Sequence, residues 1–195
     1  MDAIRHLDWS VQSWFAHVRG QPVLDALMGD ITALGSEWVL VLVVLFSAGL
    51  LLAAQRRRTA WFLLLAAFSG AVLARLLKDG IHRLRPPTYH AVAGWLTSPY
   101  SFPSGHSMMS AVIYLTLALI LTAVVQRRRV QVYVISCALV LVGLIGLSRL
   151  YLGAHYLSDV VAGWLVGLLW ALLCRWIEAR WVLRAERRAA EGEIL

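Results

Sequence analysis

With 195 residues, 60% of them hydrophobic and only 15% charged, the chain is too apolar for an ordinary soluble domain, where charged residues run nearer a quarter. Its length allows one domain and a handful of membrane spans but no separate soluble catalytic module, so any chemistry must sit on the bundle itself. The formal charge of +7 comes from 17 arginines and a single lysine, Lys78, against 11 acids, and it is read against the spans before any thought of nucleic acid.

The first 35 residues hold Arg5, His6, Asp8, His17, Arg19, Asp25 and Asp30 without an uninterrupted apolar run. They show no charged, apolar and small-residue succession of a signal peptide. Ile4, Leu7, Val11, Trp14, Phe15 and Val18 recur at three- and four-residue steps. This predicts an amphipathic helix lying in the membrane interface, or packed on the bundle, with a second short helix after Pro22. Residues 38–54, 60–77, 107–125, 130–147 and 156–174 follow as five nearly charge-free runs of 17 to 19 residues. Each is long enough to cross about 30 Å of hydrocarbon as a helix, and none alternates like a barrel strand. The expectation is an all-α, integral-membrane helical bundle of about five transmembrane helices. It divides into interfacial helices over 1–35, a transmembrane catalytic bundle over 36–177 and a cytoplasmic helical tail over 178–195. Cys137 and Cys174 fall inside apolar runs and read as small hydrophobes rather than a disulfide framework.

Orientation follows from the arginines. Arg56 to Arg58 separate spans one and two, Arg127 to Arg129 separate spans three and four, and Arg175, Arg180, Arg184, Arg187 and Arg188 follow span five. Five spans put all three clusters on one face, which the positive-inside rule makes cytoplasmic. Topology thus accounts for eleven of the eighteen basic residues, and no nucleic-acid partner is needed. Trp38, Trp61, Trp176 and Trp181 near span ends read as interfacial anchors.

The opposite helix ends carry Lys78, Arg85, Ser104, His106, Arg149, His155 and Asp159. Arg58 to Lys78, Arg129 to Arg149 and His155 to Arg175 are each twenty residues apart, about 30 Å of helix and one bilayer. Remote segments therefore bring their polar groups to one non-cytoplasmic rim. Fixed cations, two imidazoles and a helix start are what a phosphate ester requires. The Pro-Ser-Gly-His run at 103–106 opens span three, so the amides of Ser104, Gly105 and His106 can face an anion, although proline and serine also begin helices with no ligand. His155 and Asp159, four apart, share a face if span five begins there. The carboxylate then orients one ring nitrogen and leaves the other to attack.

Lys78 with Arg85-Pro86, Pro103-Ser104-Gly105-His106, and Ser148-Arg149 with His155 and Asp159 together resemble the three-part signature of the type 2 phosphatidic acid phosphatase superfamily. That superfamily also includes vanadium haloperoxidases and bacterial acid phosphatases. All eleven specified positions are met in order, within the middle of the chain, and the apolar runs around them resemble its integral-membrane branch. The resemblance implies that His155 attacks phosphorus to form a phosphohistidine, oriented by Asp159, while His106 protonates the leaving oxygen and later helps activate water. It implies that Lys78, Arg85, Arg149, Ser104 and the Gly105 amide hold the phosphate oxygens, which fits a reaction governed by positioning and charge stabilisation. No cofactor or metal is expected, since Asp79 and Asp159 are the only acids in or beside the motifs.

The implied substrates are lipid phosphates or polyprenyl diphosphates: undecaprenyl diphosphate, phosphatidylglycerophosphate, phosphatidate or a lipid A phosphate. The enzyme would sit in the cell membrane as a multi-pass protein, with its site facing the periplasm or exterior. His82, Arg83, Thr88, Tyr89 and His90 lie between the first two motifs, either as substrate contacts or as an ordinary surface loop. Arg75 is expected to snorkel to the same rim. Two rivals stay open: a phosphotransferase passing the phosphoryl group to a second lipid, and a non-catalytic binder or carrier of anionic lipids.

Overall fold

The computed structural model describes the backbone of residues 2–87 and 98–192, and the side chains of 3–87 and 98–181. Seven helices follow one another: α1 (Asp2–Val18), α2 (Pro22–Ala33), α3 (Glu37–Ala53), α4 (Arg57–Ile81), α5 (Gly105–Val124), α6 (Arg128–Tyr151) and α7 (Leu157–Gly192). Among the described residues the one β-type pairing is an isolated bridge between Leu84 and Tyr100.

Local chemistry sets the helix ends. Pro22 opens α2, where its missing N–H costs nothing. Ser104 caps α5, its hydroxyl accepting from the Ser107 amide. α4 stops at His82, which takes a left-handed conformation with φ of 52°. α4, α5, α6 and the Leu157–Trp181 part of α7 are each long and apolar enough to cross a membrane. The expected first span, α3, has 17 residues and meets that test together with α2, across a bend of 46°. α2 thus precedes α3 as a short helix at an angle to it, and the pair together is long and apolar enough for a bent span. α7 runs unbroken past the expected end of span five, so the tail continues the same helix through Gly192.

α5 is the central helix, packing on α3, α4, α6 and, most extensively, α7. The α5–α7 approach depends on two glycines spaced four apart. A Cβ at Gly163 would stand 2.9 Å from the Ser104 carbonyl oxygen, and one at Gly167 would stand 2.5 Å from that of Met108. Such small-residue stripes let helix backbones close up where lipid offers no hydrophobic drive. Across this seam the Ser104 amide donates to the Asp159 carbonyl at 3.0 Å. A third close fit seats Trp164 of α7 over Gly146 of α6, with the indole N–H donating to Val142 O at 3.1 Å.

α1 docks on α6 and α7 at the rim with part of its apolar stripe and two polar residues. Phe15 is buried, with Val11 and Val18 packed beside it, and so are Asp8 and Gln12, whereas Ile4, Leu7 and Trp14 stay exposed. Polar partners on the bundle explain the difference, because a buried carboxylate and amide are tolerated once hydrogen-bonded. The outer surfaces of the spans are apolar, with Phe46, Phe68, Tyr133 and Leu169 exposed, as are Trp38 and Trp61 near helix starts and Trp176 and Trp181 along α7. Such a surface suits hydrocarbon rather than water. Both cysteines are free.

Candidate active site

The motif residues converge. Lys78 ends α4, Arg85 lies just beyond it, Gly105 and His106 open α5, Arg149 ends α6, and His155 sits in the turn before α7. These six side chains or backbones line one cavity of about 580 Å³. The arginine clusters at 56–58 and 127–129 lie at the opposite ends of α4 and α6, and Arg175 lies midway along α7.

His155 is 1% exposed and precedes α7 instead of belonging to it, so its approach to Asp159 is made by a turn and not by a helical face. Its Nδ1 lies 3.7 Å from Asp159 Oδ2, close enough for electrostatic attraction but longer than a hydrogen bond. The carboxylate is fixed by others: Oδ1 accepts from Arg83 Nη1 at 2.8 Å and Oδ2 from the Tyr156 amide at 2.9 Å. With the carboxylate on the Nδ1 side, the ring proton belongs on Nδ1 and the lone pair on Nε2. Nε2 is 3.4 Å from Arg85 Nη1. Burial, with Arg149 and Arg85 beside the ring, pushes the His155 pKa down to about 4 against the opposing pull of Asp159. A neutral imidazole is the form with a lone pair available to act as a nucleophile.

The cations are held by backbone oxygens and one hydroxyl. Lys78 Nζ donates to Tyr100 O at 3.4 Å; Arg85 donates to Ser98 O at 3.0 Å and Ala154 O at 3.2 Å; Arg149 donates to Thr32 Oγ1 at 2.8 Å. Thr32, on α2, thus aims an α6 guanidinium into the cavity. His106 packs against Gly35, where a Cβ would stand 3.3 Å from its ring and 2.5 Å from Ile145 Cγ2. Only glycine leaves the ring that place. Ser104 is fully buried and stands behind the cavity wall, its hydroxyl accepting from Ser107 Oγ at 3.0 Å. Of the expected phosphate ligands it is the one that does not line the cavity. Among the described residues, no three of His, Cys, Asp and Glu gather to hold a metal ion.

Arg83, which the sequence left between substrate contact and ordinary loop, turns away from the cavity and pairs with Asp8 and Asp159. His82 stacks edge-on against Tyr100 at 4.5 Å. Thr88, Tyr89 and His90 lie outside the described residues. Arg75 reaches the cavity mouth and pairs with Asp79 at 2.8 Å. Sequence reasoning missed Gly35, Gly163, Gly167, Asp8 and Gln12; only the four-residue spacing of Gly163 and Gly167 was a visible signal.

Below the charged end the cavity continues between α3, α4 and α5. Leu40, Val44, Leu64, Phe68, Met109 and Ile113 line it there, so a polar head and an apolar tail share one space.

The family model described as the PAP2 superfamily matches residues 59–182. The chain belongs to the PAP2 superfamily. It is 34% identical to phosphatidylglycerophosphatase B of Bacillus subtilis (strain 168), across 86% of this chain and 81% of that one. It is 36% identical to the lipid A 1-phosphatase of Rhizobium johnstonii, across 62% of this chain and 48% of that one. The crystal structure of a transmembrane PAP2 type phosphatidylglycerolphosphate phosphatase from Bacillus subtilis superposes with a TM-score of 0.82 at 31% identity, covering 92% of this chain and 88% of that one. This PAP2 chain is therefore a multi-pass membrane protein and a phosphatase that hydrolyses phosphate esters.

Proposed function

We propose that this PAP2 protein hydrolyses the phosphomonoester or diphosphate of a membrane lipid, through a phosphohistidine on His155, at the non-cytoplasmic face of the cell membrane. One observation carries the reading: a single cavity of about 580 Å³ has His106, His155, Lys78, Arg85 and Arg149 at one end and an apolar lining between α3 and α4 at the other. That shape fits a phosphorylated headgroup whose acyl or prenyl chain stays among the helices. The three cations offset the phosphate charge, and the start of α5 offers the Gly105 amide.

In the first step the Nε2 lone pair of His155 attacks phosphorus while the bond to the lipid oxygen breaks, and His106 supplies the proton that oxygen takes up. In the second, His106 accepts a proton from water as water attacks the phosphohistidine, which frees His155 and releases inorganic phosphate. Asp159 balances the positive charge on the His155 ring in between. Lys78, Arg85 and Arg149 stay in place through both steps, so the electrostatic part of catalysis needs no reorganisation and no metal. Residues 36–177 act as one catalytic bundle, with the helices before α3 serving the rim of the site. The arginine-rich ends of the helices lie one bilayer from the cavity, which supports the exterior placement.

Phosphatidylglycerophosphate, phosphatidate, undecaprenyl diphosphate and lipid A phosphates are the panel to test. Purified protein in detergent is expected to release inorganic phosphate from at least one of them, and His155→Asn to release none. Labelled lipid product without released phosphate would instead indicate transfer to a second lipid. No turnover of any panel member by the parent would refute the reading.

A further inference from the structure

The N-terminal helix meets the site at several points on one face. Asp8, Gln12, Phe15 and Arg19 follow one another at three- and four-residue steps. Gln12 Nε2 donates to the His155 carbonyl at 2.5 Å. Arg19 donates to Gln12 Oε1 at 2.9 Å, to Leu150 O at 3.1 Å and to Tyr151 O. Asp8, 2% exposed, accepts from the Ser158 amide at 2.9 Å and the Ser158 hydroxyl at 2.7 Å. The segment from Leu150 to Ser158, which carries His155, is thus bound to α1 along its length.

Arg83 closes the arrangement. Its Nη2 donates to Asp8 Oδ2 at 2.7 Å, while Nη1 donates to Asp159 Oδ1 at 2.8 Å and to Ser158 Oγ at 2.6 Å. The guanidinium also lies over the Tyr156 ring at 4.2 Å. One planar cation therefore spans two buried carboxylates, one on α1 and the other behind His155. A lysine, as a point charge, does not hold two carboxylates in one plane. Asp159 has its second oxygen taken by the Tyr156 amide, so with Arg83 in place its carboxylate cannot rotate, and Oδ2 stays on the Nδ1 side of the ring.

We propose that Arg83 is the positioning residue for Asp159, that Asp8 on α1 holds Arg83 in place, and that the N-terminal helix is therefore a working part of the catalytic apparatus. This rests on the reading of His155 and Asp159 given under the proposed function. Removal of the guanidinium leaves two buried carboxylates with a lost cation between them, which favours uptake of a proton. Two effects then act in the same direction. Asp159 holds a proton to higher pH, and the less screened Asp159 charge favours protonation of His155. The other charged or titratable groups facing His155 are Arg149 from α6, Arg85 from the segment after α4 and His106 from α5. None of them is altered by the change.

The test measures kcat and KM against pH for phosphate release from phosphatidate and phosphatidylglycerophosphate in detergent micelles, normalised to the monodisperse folded fraction. The set is the parent, Arg83→Gln, Arg83→Lys, Asp8→Asn and His155→Asn. Arg83→Gln is expected to lower kcat about tenfold or more with KM little changed, and to move the acid limb of the profile up by about one pH unit. Arg83→Lys should return the acid limb to the parent position while leaving kcat low. Asp8→Asn keeps an oxygen for the Ser158 amide but removes the acceptor of Arg83 Nη2, so Arg83 is held less firmly and the limb should move up with a lower kcat, in the same direction as Arg83→Gln and by less. It decides the matter if Arg83→Gln does not fold. An acid limb unmoved in both charge variants, at any level of activity, overturns the inference while an active parent and a dead His155→Asn leave the proposed function standing. A parent that releases no phosphate overturns both.

Discussion

Gly167→Ala probes the close approach on which the site depends. The added Cβ would stand 2.5 Å from the Met108 carbonyl oxygen and 2.7 Å from Ala111 Cβ. Neither neighbour is the flexible end of a side chain, so α5 and α7 must separate by about 1 Å to restore ordinary contact distances. Overpacking of this kind costs about 1–3 kcal/mol, partly offset by the roughly 0.5–1 kcal/mol that alanine gains over glycine within a helix. The larger effect should be on turnover. α5 carries His106, α7 carries Asp159, and the two are joined by the Ser104 amide to Asp159 carbonyl bond at 3.0 Å. A displacement of about 1 Å between catalytic groups can cost on the order of a hundredfold in rate. Phosphate release in detergent and thermal unfolding followed by size-exclusion chromatography read the two effects separately. Gly49→Ala and Gly143→Ala are the controls, because a Cβ at either glycine meets nothing within 4 Å. Turnover and thermal stability of Gly167→Ala equal to those of the controls would refute the claim that this seam sets the site.

The two histidines should respond differently to replacement. His155→Asn is expected to abolish both turnover and the acid-labile phosphoenzyme trapped after a rapid quench, whereas His106→Asn should hurt least with p-nitrophenyl phosphate, whose leaving group departs without a proton. Equal loss on all substrates for His106→Asn would argue against its role as the acid. Millimolar EDTA should leave phosphate release unchanged, because Lys78, Arg85 and Arg149 supply the positive charge at the cavity; abolition that returns on adding a divalent cation would overturn this. Stability should also depend on pH through His155. An exposed histidine titrates near about 6.5, whereas burial holds this one near about 4. The unfolded chain therefore takes up the proton first as pH falls. The contribution is full above about pH 6.5 and is lost on the way down to about 4, on the order of 3 kcal/mol in all. The melting temperature of the parent should accordingly drop more than that of His155→Asn between pH 7.5 and 4.5, and parallel curves would contradict the assignment.

Much of the bundle was legible because lipid leaves a chain few options. Runs of 17 to 19 apolar residues can hide their backbone only as helices, and arginine triplets twenty residues from Lys78 and Arg149 fix which ends share a face. Periodicity showed only part of α1. Val11, Phe15 and Val18 of its apolar stripe do pack on the bundle, but the buried face also carries Asp8 and Gln12. Hydrophobic spacing cannot foresee that a carboxylate will find Arg83 75 residues away. The role of Gly35 escaped for a similar reason, because its closeness to His106 and Ile145 exists only after the helices assemble.

The same distinction separates the legible part of the site from the rest. Groups proposed to meet substrate must be of particular chemical types, so His106, His155, Lys78, Arg85 and Arg149, which line the cavity, announce themselves as costly polar residues at the ends of apolar runs. Groups that hold those side chains in place need only reach them, and nothing in their type or spacing reveals it. Thr32 aims Arg149, and Arg83 fixes Asp159. Ser104 shows the converse: it sits inside the Pro-Ser-Gly-His motif, and in the fold its hydroxyl caps α5 behind the cavity wall. Within one four-residue run, then, the serine sets where α5 begins and the glycine and histidine face the cavity, so motif membership alone does not establish contact with phosphate. For Ser104→Ala this geometry predicts mainly a lost cap, about 1 kcal/mol of stability, with KM for lipid phosphates close to the parent value. A KM raised tenfold at unchanged melting temperature would instead return the hydroxyl to the phosphate.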